Sequence, residues 1–260
     1  MIRLAVLGDP IAHSKSPAMH QAALDALGIE GVYEARRVGT AGMEEQADLV
    51  RSGELDGANI TMPHKEKAFL LCDGVSDPAS QAESVNTWCR EGHSLIGHST
   101  DIVGIRQCWD EVGFEDHPVL ILGSGGVSRA AVVALGDRQL MISSRPEDAD
   151  FTLLERCGVN GTWIPWGEAV EHAVIFNCTP LGMRGEHLPA GLMESAEGLI
   201  DMVYGPEPTP AVRAALEMQI PVIDGIDLLV AQAEASFRLW TGVEPPPGVM
   251  AAAARKASSG

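Results

Sequence analysis

The sequence predicts a protein of the α/β class, in which parallel strands alternate with helices. Short apolar runs of five to seven residues recur along the chain, and most precede a segment with the 3.6-residue period of a helix. One run also leads into a glycine-rich turn that opens a helix of small residues. The predicted strands are residues 2–8, 57–61, 118–123, 139–144, 174–179, 198–203 and 221–225.

Length and charge narrow the class further. A chain of 260 residues forms one large domain or two of ordinary size, and 45% hydrophobic with 21% charged residues is typical of a globular protein. The best candidate for a domain boundary is the helical segment 101–114, just before the glycine turn. A formal net charge of −18 disfavours binding to nucleic acid or anionic lipid. Any anionic ligand therefore needs local hydroxyls, helix N-termini or individual cations.

The cysteines and the N-terminus indicate the compartment. Five cysteines without a C-x-x-C pair fit a reduced environment better than a disulfide framework or a zinc site, so no metal is expected. The chain opens directly into a strand-like segment, without the pattern of a signal peptide or a membrane span. We expect a cytoplasmic protein.

The first helix carries two serines at its start. In "GDPIAHSKSPAMHQAALDALG", Ser16 is the predicted N-cap, Pro17 the first helical residue and Gly28 the end of the helix. Ser14 adds a second hydroxyl at the same positive helix end, where a carboxylate could bind. A capping serine requires no ligand, so both interpretations stay open.

Lys65 follows the second predicted strand. Pro63 must lie outside that strand and suits the first turn of the next helix, which places Lys65 near a helix N-terminus at the carboxyl edge of a sheet. Structural cations prefer the opposite end of a helix, and ligands of open α/β sheets bind at this edge. The alternative is a solvated lysine beside Glu66 and Lys67.

A second polar cluster lies in "ESVNTW" and "GHSTDIVG". Asn86 and Asp101 each follow a short apolar piece, although Asp101 could simply be a first-turn carboxylate that the helix dipole favours. The spacing of these residues does not by itself bring Lys65 and Asp101 together.

The glycine turn in "PVLILGSGGVSRAAVVALG" predicts a dinucleotide site. Gly123, Gly125 and Gly126 follow a strand and precede a helix, so backbone N–H groups can approach a pyrophosphate; Ser128 replaces the usual third glycine or alanine. A tight turn without a ligand is the alternative.

The end of the next strand bears on the choice of nucleotide. An NAD site usually has an acidic residue here, whereas this strand ends in "MISSRPED", with Ser144 and Arg145. A guanidinium can fork onto a 2′-phosphate, so NADP is the predicted cofactor. The alternative is that Arg145 is a solvated loop residue beside Glu147 and Asp148.

Taken together, these segments resemble the shikimate dehydrogenase family. The matching pieces occur in the family's order from residue 8 to residue 233, and they are "GDPIAHSKSP", "NITMPHK", "SVNT", "GHSTDIVG", "LGSGGVSRA", "NCTPLGM", "DMVYGPEPTP" and "GIDLLVAQA".

The resemblance implies two α/β domains flanking a cleft and an NADP-dependent, reversible reduction of 3-dehydroshikimate in aromatic amino acid biosynthesis. Residues 1–104 with 235–260 would form the substrate domain, and residues 105–234 the Rossmann-like NADP domain. Lys65 and Asp101 would be the catalytic pair. Substrate would be held by Ser14, Ser16, Thr61, Asn86, Tyr204 and Gln232. The nucleotide would be lined by Gly123, Ser124, Gly125, Gly126, Val127, Ser144, Arg145, Thr179 and Gly225.

Three departures from the family pattern leave alternatives open. Ser99 stands where the family usually has Asn, residues 144–146 read Ser-Arg-Pro instead of Asn-Arg-Thr/Ser, and residues 228–229 read Leu-Leu instead of Met-Leu. One alternative is a quinate/shikimate dehydrogenase that uses NAD, and another is a noncatalytic dinucleotide-sensing regulator. The expected assembly is a monomer or a homodimer.

Overall fold

The computed structural model describes residues 1–114 and 116–257. The chain divides into two compact units. Unit 1 comprises Met1–Val103 together with Val230–Gly260, and unit 2 comprises Gly104–Leu229.

Unit 1 is built on a six-stranded sheet with helices between its strands. Its strands are β1 (Ile2–Gly8), β2 (Gly31–Arg37), β3 (Gly57–Ile60), β4 (Gly74–Val75), β5 (Thr87–Glu91) and β6 (Ser94–His98). Its helices up to the boundary are α1 (Ser16–Leu27), α2 (Met43–Ser52), α3 (Lys65–Leu70), α4 (Asp77–Ala82) and the start of α5 (Thr100–Val112). After unit 2 come the later part of α9 (Gly225–Thr241) and α10 (Val249–Lys256).

This sheet is mixed, so the predicted parallel arrangement does not extend to all of its strands. The strand order is β2-β1-β3-β5-β6-β4, and β5 runs antiparallel to both β3 and β6. Strands β5 and β6 form a hairpin whose two-residue turn is Gly92-His93, with Gly92 at φ 63°. A positive φ is the usual requirement of such turns, and glycine meets it without steric strain.

Unit 2 has the strand order of a dinucleotide-binding sheet. Its elements are the remainder of α5, then β7 (Val119–Leu122), α6 (Gly126–Ala134), β8 (Leu140–Ser143), α7 (Leu153–Arg156), β9 (Thr162–Trp163), β10 (Ala173–Asn177), β11 (Ala196–Asp201), α8 (Pro210–Met218), β12 (Val222–Ile223) and the start of α9. The order β12-β11-β10-β7-β8-β9 is parallel throughout, and the order reverses between β7 and β10. In doubly wound sheets, ligands bind at the carboxyl ends of the strands beside that reversal.

All seven predicted strands are present, and the two-sheet α/β class is confirmed. The first residues of two helices differ from the prediction. Helix α1 begins at Ser16, and it is the Ser14 Oγ atom that accepts a hydrogen bond from the Ser16 N–H (3.3 Å), so Ser16 is not the N-cap. Helix α3 begins at Lys65, after Pro63 rather than with it.

Two further findings concern the whole of the described chain. Within residues 1–114 and 116–257, no helix is long and apolar enough to cross a bilayer. The same residues contain no cluster of three His, Cys, Asp or Glu side chains suited to a metal ion.

Candidate active site

Lys65 and Asp101 form a buried ion pair in unit 1. The Lys65 Nζ atom lies 2.6 Å from Asp101 Oδ2, and the two side chains are 14% and 7% exposed. In such surroundings the attraction between the charges is screened far less than at a surface, and the loss of either partner leaves a poorly solvated charge. The pair is therefore a fixed feature of unit 1.

The sheet explains how residues 36 positions apart come together. Lys65 is the first residue of α3, just beyond the carboxyl end of β3, and its carbonyl accepts a hydrogen bond from Val85 N–H (3.1 Å). Asp101 is the second residue of α5, just beyond the carboxyl end of β6. Asn86 precedes β5, which is antiparallel, and its N–H bonds the carbonyl of His98 (3.1 Å). Lys65, Asp101 and Asn86 therefore lie at one edge of the sheet.

The side chains of Asn86, Gln232 and Thr100 are hydrogen-bonded to one another, and Thr100 is the neighbour of Asp101 in the chain. The Asn86 amide donates to Thr100 Oγ1 (3.0 Å) and to Gln232 Oε1 (3.3 Å), while its oxygen accepts from Thr100 N–H (2.7 Å). Thr100 Oγ1 also lies 3.4 Å from Gln232 Oε1. Because Thr100 directly precedes Asp101, these bonds tie both amides to the start of the helix that carries the carboxylate.

A buried network of hydrogen bonds connects Thr100 to side chains deeper in unit 1. Asn59 donates from Nδ2 to Ser236 Oγ (2.9 Å) and Thr87 Oγ1 (3.0 Å), and its oxygen accepts from Tyr33 Oη (2.7 Å). The hydroxyls of Thr87 and Ser236 each lie 3.0 Å from that of Thr100. Buried polar groups that are fully paired fix one arrangement, because any other leaves a donor unsatisfied.

His20 lies behind the network in an aromatic cluster. Its ring stacks on Tyr33 with centroids 4.3 Å apart and lies 5.3 Å from the ring of Trp240. The residue is fully buried, and neither ring nitrogen has a hydrogen-bond partner among the described residues. Burial lowers the pKa of His20 to about 3, because the charged form would lose its hydration, and the nearby Asn59 side chain offsets only part of that effect. The imidazole is therefore neutral at physiological pH.

The serines and Thr61 also lie in unit 1. Ser14 is half-buried and Ser16 is buried, at the N-terminus of the twelve-residue helix α1. Thr61 follows β3, and its N–H bonds the carbonyl of Leu7 (2.9 Å). The N–H of Asp9 bonds the carbonyl of Met62 (3.3 Å), which ties the loop leading to the serines to the turn leading to Lys65.

The glycine turn of unit 2 is shaped for a phosphate. Gly123 has φ 107°, a backbone conformation that residues other than glycine rarely adopt, and its N–H donates a hydrogen bond to the carbonyl of Ser143 (2.8 Å). Helix α6 starts at Gly126 with no side-chain cap from the described part of the chain, so its first-turn N–H groups could bind an anion. A Cβ added at Gly125 would meet no described atom within 4 Å, which leaves open the approach that a pyrophosphate needs. This part of unit 2 fits a dinucleotide.

The loop after β8 is fastened to that turn by Ser124. The Ser124 hydroxyl donates to the carbonyl of Asp148, accepts from Asp150 N–H (3.3 Å), and lies 3.4 Å from Ser144 Oγ. Arg145 Nη2 lies 2.7 Å from Asp148 Oδ2, with the two side chains 53% and 52% exposed. Arg145 is thus in the predicted loop, but its guanidinium is already paired with a carboxylate.

The remaining predicted residues of unit 2 follow the carboxyl ends of β10 and β11 or begin α9. Thr179 is held by Asn177, whose Oδ1 accepts from the Thr179 hydroxyl (2.6 Å) and N–H (3.1 Å). Gly225 is the first residue of α9. Tyr204 is half-buried, and burial raises the pKa of its phenol, which keeps the hydroxyl protonated as a donor.

Two of the cysteines are unsuited to act as nucleophiles. All five are free thiols, and burial raises the pKa of both Cys72 and Cys89 to about 12. A thiol nucleophile requires a lowered pKa, so these two groups are structural.

Four residues that support the site are absent from the sequence-based predictions. They are Asn59, Thr87, Thr100 and Ser236. Two signals in the sequence point to them: Asn59 is a polar residue in the middle of an apolar strand, and Ser236 follows Gln232 by one helical turn. A polar residue inside a buried strand needs partners, and residues i and i+4 share a helix face.

Two models of the same protein family match segments of this chain. Residues 6–88 match the model of the shikimate dehydrogenase substrate binding domain, and residues 225–255 match that of the shikimate 5′-dehydrogenase C-terminal domain. A shikimate dehydrogenase (NADP(+)) of Thermus thermophilus is 36% identical over 99% of both chains. That of Archaeoglobus fulgidus is 34% identical, again over 99% of both.

Solved structures agree with these relatives. A shikimate 5-dehydrogenase from Thermus thermophilus, in complex with NADP(H) and shikimate, superposes with a TM-score of 0.89 at 35% identity, over 99% of this chain and 100% of that one. The Listeria monocytogenes enzyme, in complex with shikimate and NAD, gives 0.84 at 26% identity over 97% and 96%. Identity above 30% over essentially the full length of the first two relatives shows that this chain belongs to the shikimate dehydrogenase family.

Proposed function

We propose that the protein catalyses the reversible, NADP-dependent reduction of 3-dehydroshikimate to shikimate. The observation that carries this proposal is the buried Lys65–Asp101 pair at a sheet edge that also holds Asn86, whose amide donates to Gln232 of α9. The curated relatives named above are NADP(+)-dependent shikimate dehydrogenases that match the whole chain, which supports the same reaction here.

In this proposal Lys65 handles the proton. As hydride reaches the carbonyl carbon, negative charge grows on the oxygen, and the Lys65 ammonium stabilises that charge and donates the proton. The Asp101 carboxylate accepts a hydrogen bond from Nζ (2.6 Å) and so holds the amine in one orientation. In the oxidative direction the neutral amine of Lys65 accepts the proton of the substrate hydroxyl while the hydride leaves the same carbon for the nucleotide.

The other polar groups of the site orient the substrate. Ser14 and Ser16 would bond its carboxylate at the positive end of α1, which gives an anion a local site on a chain of net charge −18. The network through Asn59 keeps the amides of the site in place, because each hydrogen bond they make inside the protein constrains where the remaining ones point. The substrate's ring hydroxyls would bond Thr61, Asn86 and Gln232.

NADPH, when bound, supplies the hydride. In unit 2 its adenosine ribose would contact the loop of Ser144 and Arg145, and Thr179 and Gly225 would line the nicotinamide side. The uncapped start of α6 and the open space at Gly125 support this assignment. Its pyrophosphate would contact the turn of Gly123, Ser124, Gly125, Gly126 and Val127.

A second candidate is an enzyme that uses NAD, with a shifted substrate such as quinate. Two observations favour keeping it: the Arg145–Asp148 ion pair, and the relative from Listeria monocytogenes that was solved with shikimate and NAD. A noncatalytic sensor is disfavoured, because it would not need a buried amine held by a carboxylate.

Location, assembly and domain roles form part of the proposal. Unit 1 would be the substrate domain and unit 2 the nucleotide domain. We place the protein in the cytoplasm as a monomer or homodimer, and expect small molecules rather than nucleic acid or membranes as its ligands.

One assay tests the reaction and separates the candidates. Initial rates of nucleotide reduction are measured at 340 nm with shikimate and with quinate, each in the presence of NADP and of NAD. The proposal expects the highest kcat/KM for shikimate with NADP. A preference for quinate or NAD would favour the second candidate, and no reduction in any combination despite nucleotide binding would favour a sensor.

A further inference from the structure

The loop that follows β8 contains both of the groups by which such sites choose a nucleotide. An acidic side chain here accepts a hydrogen bond from the ribose 2′-hydroxyl of NAD, while an arginine accommodates the 2′-phosphate of NADP. This chain has Arg145 and, three residues later, Asp148. The two requirements are opposed, so the way these side chains interact decides the outcome.

In the structure the arginine is bound to the acid. Arg145 Nη2 lies 2.7 Å from Asp148 Oδ2, and the Asp148 N–H bonds the Arg145 carbonyl (2.9 Å), which closes a short 3₁₀ turn over Pro146–Asp148. Ser124 of the glycine turn donates to the Asp148 carbonyl. Both the N–H and the carbonyl of Asp148 are therefore hydrogen-bonded, which holds its carboxylate beside the guanidinium.

The neighbouring carboxylates are arranged differently. Asp150 is engaged by Arg156 (3.0 Å) and by the hydroxyl of Thr152 (2.6 Å), so its charge is directed to the start of α7. Glu147 is exposed beside Asp148, and among the described residues it forms no ion pair with Arg145, which binds Asp148 instead. It provides a carboxylate at nearly the same place that does not hold the arginine.

We propose that Asp148 is a specificity-determining residue that holds the Arg145 guanidinium and thereby narrows the preference for NADP over NAD. This inference rests on the nucleotide part of the proposed function. A 2′-phosphate must take the guanidinium from Asp148 or share it, and the carboxylate repels the phosphate as well. A nucleotide with a 2′-hydroxyl meets neither penalty and can donate to the carboxylate.

The expected effect is moderate, because the pair is half exposed. Exposed ion pairs contribute little and salt screens them, so we expect Asp148→Asn to tighten binding of a 2′-phosphorylated nucleotide by roughly three- to tenfold. Binding of the unphosphorylated nucleotide should stay the same or weaken. The difference between the two proteins should shrink at high ionic strength.

Equilibrium binding without substrate tests this directly. Titration calorimetry measures Kd of 2′,5′-ADP and of 5′-AMP for the full-length protein, Asp148→Asn and Glu147→Gln, at low and at high salt. Glu147→Gln removes an equal charge one residue away and is the matched control. The proposal expects selective tightening of 2′,5′-ADP in Asp148→Asn, and a clearly smaller change in the control.

Three results would overturn the inference. They are equal tightening in both variants, which would indicate only the general charge of the loop; equal tightening of both ligands; and no binding of 2′,5′-ADP to either the unaltered protein or Asp148→Asn. The test is independent of turnover. If shikimate is not oxidised but the selective shift is observed, the proposed reaction fails while the role of Asp148 stands.

Discussion

Replacing Lys65 with alanine removes the side chain that we assign as proton donor, and turnover should fall far more than substrate binding. Loss of a general acid typically lowers the rate by about 10²- to 10⁴-fold, and loss of a group that stabilises a developing oxyanion by about 10²- to 10³-fold. The two effects belong to one ammonium and are not additive. We expect kcat to fall by roughly 10³- to 10⁴-fold, or about 4 to 5.5 kcal/mol in the activation free energy. By contrast, KM for shikimate should change by less than about tenfold, because the lysine contributes mainly to the transition state.

The same substitution has a predictable side effect on stability. Asp101 is only 7% exposed and would lose its cation, and a broken buried pair typically costs about 3–5 kcal/mol. A second variant separates folding from chemistry. Lys65→Met combined with Asp101→Asn removes both charges while keeping side chains of similar size, so it should recover much of the stability without recovering turnover.

The assay is the initial rate of shikimate oxidation, with urea unfolding and binding of 2′,5′-ADP measured on each variant. Lys67→Ala is the matched control: Lys67 lies in the same helix, its side chain is 33% exposed, and it pairs with Glu44 at 2.7 Å on the surface. Its kcat should stay near that of the unaltered enzyme. The assignment is refuted if Lys65→Ala keeps more than about a tenth of the kcat, or if Lys67→Ala loses as much.

Three further substitutions test other parts of the structure. Gly125→Ala should weaken 2′,5′-ADP binding by about tenfold or more. It should change the free energy of unfolding by less than about 1 kcal/mol, since φ is −81° and the Cβ enters open space. Unchanged binding would show that the glycine turn does not contact the nucleotide. Ser236→Ala should raise KM for shikimate roughly three- to tenfold with a smaller effect on kcat, because Asn59 loses a hydrogen-bond acceptor. An unaltered KM in steady-state kinetics would show that the buried network does not influence substrate binding. His20 stays neutral in the fold down to about pH 3 but takes up a proton below about pH 6.5 when unfolded, so stability falls as pH drops through that window, by about 2 kcal/mol at pH 5. Urea unfolding at pH 7 and pH 5 should show that loss, and His20→Phe should largely abolish it; an equal loss in both proteins would contradict the assigned pKa.

The fold class and most of the elements can be predicted from the sequence, because the spacing of apolar residues and the positions of glycines are local signals. It does not disclose the antiparallel strand β5, since "TWCRE" and "SLIGH" are short, mixed in polarity and only become strands by pairing with each other. Strand β2 is hidden for a related reason. It lies at the edge of its sheet, and its sequence "GVYEARR" has charged residues at positions that an interior strand would fill with apolar ones.

The candidate site shows the same division between local and long-range information. Lys65 and Asp101 stand out individually, as charged residues just after strand-like runs, but their contact depends on the strand order β3-β5-β6, which no local pattern encodes. The pairing of Arg145 with Asp148 is equally invisible in the sequence. The loop visibly contains a residue that could serve a phosphate and a residue that could oppose it, and only the geometry shows that they bind each other.

The turn of the β5–β6 hairpin lies far from the candidate catalytic residues. Its open end, where Thr87 pairs with His98, lies next to Asn86 and Asp101, while Glu91 pairs with Ser94 at the closed end, about 14 Å away at the usual rise per residue. Extra residues inserted at Gly92-His93 would extend the ribbon outward and leave the spacing of the reacting groups as it is. That tip is accordingly a suitable attachment point for a fluorescent label or an affinity tag in experiments that must preserve turnover.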